Sequence, residues 1–221
     1  MNNKIVFGIL WLGFIGYAFF LAPPDRSTNL DLIINLSTGK WMGINPLVIA
    51  LFNLMGILPM IYAALMLIDG KTQKLSAGLF SAASFAVGAF AILPYLALRE
   101  SNSRPVGEHN GIIKLVDSRW LGVFLSIGTV ILLAYGITQG DWVDFVQQWQ
   151  TSRFIHVMSL DFCLLILLLP VLINDDIDRR NFTNPRSIKL LSLVPLIGAL
   201  IYLCIRPNLP DVTGISNPLP N

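Results

Sequence analysis

The stretch Arg153-Phe-Ile-His156-Val-Met-Ser159-Leu-Asp161-Phe-Cys163 places an acid and an imidazole inside a run that is otherwise mostly apolar. Asp161 follows Arg153 by eight residues, about 12 Å along a helix. A carboxylate at that depth in a bilayer costs about 2.5–3.5 kcal/mol on the insertion scale. It therefore either faces a bundle interior with partners or carries a proton. Two roles fit: an ion, proton or ligand site, or an interhelical hydrogen bond that fixes packing. Ser159 stands beside it as a further polar group.

His156 lies nearer the start of the run and shares a helical face with Arg153. At about 100° per residue it points about 140° away from Asp161, so one helix does not align the two as a relay. One imidazole nitrogen at His156 can hold a pigment magnesium or a haem iron. The alternative is a hydrogen-bonded interfacial histidine. His109, the other of the two histidines, falls in a hydrophilic loop, which argues against an intramembrane bis-histidine haem. Asn53 adds an amide to another apolar run, where an interhelical hydrogen bond is expected. Gly78, Ala82 and Ala86 recur every four residues, as do Ser84 and Gly88, and read as faces for close helix packing. Cys163 and Cys204 both fall in apolar stretches and read as small buried side chains. No metal-ligand cluster, P-loop, G-x-S-x-G or H-E-x-x-H occurs, so no catalytic residue and no metal site is assigned.

The elements that must position these residues are membrane spans. The chain has 221 residues, 54% hydrophobic and only 13% charged; ordinary soluble domains carry about 25% charge. A net charge of +2 without a basic run argues against nucleic acid as a partner. Six segments are apolar over about 20 residues: 5–22, 46–68, 75–98, 120–138, 154–173 and 188–205. The first resembles a signal peptide, but its apolar run is long and Pro23-Pro24 follow without a cleavage pattern, so it is read as a retained span. The fold expected is an all-α, single-domain bundle of about six transmembrane helices. Asp141, with Trp142, Phe145, Val146 and Trp149 behind it, predicts an amphipathic helix at the interface. Thr28 with Asp31 predicts a capping box for a second one. Pro59, Pro94, Pro170 and Pro195 fall inside spans and predict kinks.

Six spans divide the Lys and Arg residues ten to five. Arg26, Lys40, Arg99, Arg104, Lys114, Arg119, Arg179, Arg180, Arg186 and Lys189 fall on one side, with Lys4, Lys71, Lys74, Arg153 and Arg206 on the other. The positive-inside rule then puts both termini on the non-cytoplasmic side.

The segments Gly43-Ile-Asn-Pro-Leu-Val-Ile-Ala-Leu-Phe-Asn53, Leu93-Pro-Tyr-Leu-Ala-Leu-Arg99 and Ser152 to Cys163 resemble a family of multi-pass membrane proteins of cyanobacteria and plant chloroplasts, without an established biochemical function. The resemblance runs from about Ala22 to Pro207. It implies a thylakoid or plasma membrane of a photosynthetic organism and supplies no catalytic residues. The function expected is a non-enzymatic accessory or assembly protein, with the bilayer and membrane proteins of photosynthetic complexes as partners. The alternatives are a small proton- or ion-coupled transporter using Asp161, and an intramembrane enzyme acting on lipid, quinone or pigment with His156 and Asp161 as acid–base groups.

Overall fold

A computed structural model describes residues 3–25, 27–102, 111–180, 182 and 184–210. Arg26, Arg104 and His109 lie outside them. Eleven α-helices and no strand occur among the described residues. Four helices are long and apolar enough to cross a membrane. The first is α1, Asn3–Gly16, which widens into a π-helical turn over Tyr17–Leu21 and stops at the Pro23-Pro24 pair. The short α2 spans Asn29–Ser37. The second long helix, α3, covers Pro46–Asp69 with Pro46 at its first turn and the Asn45 side chain accepting from the Leu47 amide at 3.0 Å. After α4 (Ala77–Val87), α5 (Ala89–Leu98) and α6 (Gly111–Asp117) come α7 at Arg119–Gln139, α8 at Trp142–Thr151 and α9 at Arg153–Arg179. The chain ends in α10, Pro185–Ser192, and α11, Ile197–Ile205.

The centre of the bundle is α3. Val48, Leu58, Ile61, Tyr62 and Met66 on it have no exposure, and it packs on α4, α7 and α9. Tyr62 satisfies its hydroxyl by donating to the Leu165 carbonyl of α9 at 2.6 Å. The small residues of α7 let it approach closely, since a Cβ on Gly136 would lie 2.7 Å from Ala50 Cβ.

Two of the six expected spans are not single long helices. Segment 75–98 is broken at Gly88 into α4 and α5, and the chain returns to the end it left. Gln73 exchanges hydrogen bonds with the Glu100 backbone at 2.6 and 2.9 Å, and Thr72 reaches Asn102 at 2.9 Å. Each arm holds only about ten residues, roughly 15 Å of helix, half a hydrocarbon core. Segment 188–205 likewise divides into α10 and α11 around 193–196, with Pro195 in the turn rather than in a helix. Phe182 before it and Tyr202 near its end make a tilted ring contact with centroids 6.0 Å apart. Gly88 is the hinge of the first hairpin. Its φ of +51° and ψ of −125° lie where only glycine rests without strain.

Both hairpins close at one end of the molecule on a buried ion cluster, here termed the clasp. Arg99 forks onto Asp69 with two 3.0 Å contacts and also reaches Asp175. Arg179 bridges Asp69 and Asp176, each at 3.3 Å. Arg180 holds Asp176 at 2.9 Å and Asp117 at 2.6 Å. Arg206 lies 3.6 Å from Asp176 and donates to the Val116 carbonyl. Tyr95 donates to Asp69 at 2.5 Å and Tyr202 to Asp176 at 2.7 Å. Four arginines thus meet four aspartates, the arrangement that burial of charge demands. Burial opposes the charge on Arg99, but the Asp69 and Asp175 carboxylates outweigh it and raise its pKa.

Candidate functional site

At the opposite end, α2 and α8 lie across the mouths of the long helices. Asp141 caps α8 as the sequence predicts, accepting from the Val143 and Asp144 amides at 2.9 and 3.0 Å. The Thr28 capping box does not form, because the Thr28 side chain makes no capping bond. Asn29 instead pairs with Asp25 and accepts from Ser152 at 3.1 Å, tying α2 to the start of α9.

Between α1, α2, α9 and the tip of the α4–α5 hairpin lies a cavity of about 770 Å³. Arg153, Asp25 and Asn29 line its mouth, and Trp11, Phe90, Phe154, Val157 and Met158 form much of its wall. Asp161, Ser84 and Gly88 line it as buried residues and Phe85, Ala86 and Val87 as exposed ones, so the space is an open groove. Asp161 is 6% exposed, and its Oδ1 accepts from the Ala89 backbone N–H at 2.7 Å. Ala89 opens α5, so the carboxylate sits on the positive end of a half-length helix. In an unbroken helix that amide would close on the Phe85 carbonyl. Among the described residues its Oδ2 accepts no hydrogen bond and no basic side chain forms an ion pair with it. The clasp aspartates provide the contrast.

The residues singled out by sequence divide among several places. Arg153 is at the cavity mouth, its Nε donating to the Pro23 carbonyl at 2.9 Å. His156 is buried between Tyr17 and Trp149, with ring centroids at 5.8 and 4.3 Å. Its Nε2 is 2.7 Å from the Tyr17 hydroxyl and its Nδ1 is 2.9 Å from the Trp149 carbonyl. A carbonyl only accepts, so Nδ1 carries the proton there. Both ring nitrogens have hydrogen-bond partners, so a metal at His156 would have to displace Tyr17 or the Trp149 carbonyl. His156 and Asp161 bond to different elements and form no acid–base pair. Asn53 donates to the Ile49 carbonyl of its own helix at 2.8 Å rather than across helices, and Ser159 donates to Ile155 at 2.7 Å in the same way.

The small-residue faces separate too. Ser84 and Gly88 are buried, with Ala77 and Ser81 beside them, whereas Gly78, Ala82 and Ala86 are exposed and Ala86 lines the cavity. The helix turns that face outward because the hairpin packs through 77, 81, 84 and 88. Cys163 is exposed on the outer surface of α9 and Cys204 is half-buried, close to Ser126, which corrects the buried reading of the first. A side chain that lipid would cover looks in sequence like one that protein covers. The described residues contain no group of three His, Cys, Asp or Glu arranged to hold a metal.

Sequence reasoning missed the Asp161–Ala89 contact and the clasp. The clasp carried a signal: Asp175-Asp176 and Arg179-Arg180 close an apolar run at helical spacing. Comparison with protein families, with curated proteins and with solved structures finds no match to this chain.

Proposed function

We propose that this protein is an integral membrane carrier in which a proton or a cation on Asp161 is coupled to movement of a small solute through the 770 Å³ cavity. The observation that carries this reading is the position of Asp161: buried, without a cationic partner among the described residues, on a half-helix terminus, and facing an open groove. Discontinuous helices that expose termini near the midplane are the usual way membrane carriers build an ion or solute site. An accessory or assembly role needs no such cavity, and an enzyme would need a second acid–base group beside Asp161.

The hairpins also reverse the orientation proposed. With four crossings and two returns, Lys4, Lys71, Lys74, Arg99, Lys114, Arg119, Arg179, Arg180, Arg186, Lys189 and Arg206 stand at the clasp end, against Lys40 and Arg153 at the cavity mouth. The positive-inside rule favours the clasp end in the cytoplasm, and with it Asn3 and Leu209. The cavity then opens to the non-cytoplasmic side. A photosynthetic membrane as the setting rests on the sequence resemblance alone.

The test is proton movement in proteoliposomes carrying an internal pH dye. Cationic, neutral and anionic solutes are added in turn to the wild type and to Asp161→Asn. The carrier reading expects at least one class to move protons in the wild type and none in the variant. Traces matching empty vesicles for every class, from correctly folded protein, would return the chain to an accessory role.

A further inference from the structure

We infer that the solute is a lipophilic organic ammonium ion, its charged head on Asp161 Oδ2 and its apolar body along the cavity. This deepens the carrier reading and rests on it. Three observations select the charge. Asp161 is more than nine-tenths buried and offers the cavity an oxygen, Oδ2, with no partner among the described residues. The end of α4, at the half-exposed Val87, lines the same space, and the last carbonyls of a helix carry partial negative charge. The positive terminus of α5 is already covered by Asp161 Oδ1, so beside Asp161 no such donor is left for an anion, and the one lining cation among the described residues, Arg153, stands with Asn29 and Asp25 near the start of α2. Aromatic walls at Trp11, Phe90 and Phe154 then suit a cation with an apolar body, through area and through ring faces.

The volume selects the size. About 770 Å³ is the scale of a small organic ligand and far exceeds a bare metal ion. The other charged groups lining the space, Arg153 and Asp25, stand together at the mouth. Tyr62 of α3 directs its hydroxyl to Leu165. A proton and an ammonium ion therefore compete for one carboxylate oxygen. Arrival of the ammonium on an occupied Asp161 releases the proton, and the two exchange without any bond to carbon being made or broken.

The experiment is equilibrium dialysis of the full chain in lipid nanodiscs against 4-phenylbutylammonium, neutral 4-phenylbutanol and the anion 4-phenylbutyrate. One saturable site per chain is expected for the ammonium, at least about tenfold tighter than for the alcohol. Asp161→Asn keeps an oxygen for Ala89, and should cost the ammonium at least about tenfold while leaving the alcohol unchanged. Val157→Trp, which fills the cavity and leaves the Ala89 contact alone, should abolish saturable binding. Unchanged ammonium binding in Asp161→Asn, equal binding of the three probes, or no saturable ammonium site would overturn the inference. Proton movement driven only by neutral or anionic solutes would sink the ammonium assignment and leave the carrier standing. Saturable ammonium binding with no transport would do the reverse.

Discussion

Asp161 on α9 caps Ala89 on α5 across 72 residues of sequence, with 2.7 Å between the carboxylate oxygen and the amide nitrogen. A helix start that is normally satisfied by its own preceding residue is here satisfied by another helix. The contact makes Asp161 both a structural latch, through Oδ1, and a free acceptor, through Oδ2.

These two oxygens separate by mutation. Asp161→Asn retains a carbonyl for Ala89 and should unfold within about 1 kcal/mol of the wild type in mixed micelles. Asp161→Leu strands the buried amide and should cost about 1–3 kcal/mol. Equal losses in the two variants would show that the latch contributes nothing.

Gly88→Ala should be among the most damaging single-methyl changes. The backbone there disfavours any side chain, and the added Cβ would collide with the Asp161 carboxylate. A loss of roughly 2–4 kcal/mol is expected in thermal unfolding. Gly8→Ala, where nothing lies within 4 Å, is the matched control and should be close to neutral.

The hairpin makes a topological prediction. In a background without Cys163 and Cys204, cysteines placed at Gln73 and Glu100 should both react with an impermeant maleimide from the same side of the membrane. They should also cross-link to each other. A cysteine at Lys40 should react only from the opposite side. Labelling of 73 and 100 from opposite sides would restore a full crossing at 75–98.

At the clasp, Asp69→Ala leaves Arg99 and Arg179 short of a buried counter-charge, and should destabilise by about 3–5 kcal/mol. Asp176→Ala should behave alike. Asp178→Ala breaks only the half-exposed pair with Lys189 and should change stability by less than about 1 kcal/mol. Denaturant midpoints of the three variants measure the contrast.

The four long apolar helices were legible because each is a long apolar run. The same property misled at 75–98 and 188–205, because a hairpin of two half-helices is as apolar as one whole helix. What distinguishes them is the backbone angle at Gly88 and the pairing of Gln73 with Glu100, neither of which hydropathy records. Asp161 stood out because it is an uncompensated charge in an apolar run. Its partner did not, because a backbone amide has no letter in the sequence. The partner of His156 was hidden for the same kind of reason: Tyr17, which bonds its Nε2, lies 139 residues away. The proposed orientation depends on the span count through the positive-inside rule.

The latch also fixes an order of assembly. The α4–α5 hairpin leaves the ribosome long before Asp161, Asp175 and Arg179, yet both its tip and its base are held by groups on α9. Until α9 is made, the hairpin has a bare amide at its tip and an incompletely paired Arg99 at its base. Neither arm is long enough to be retained as a span of its own. The nascent chain must therefore keep the hairpin sheltered, against α1 and α3 or within the insertion machinery, until α9 has been made. Chains released before residue 161 will carry an unlatched hairpin and are natural substrates for membrane quality control.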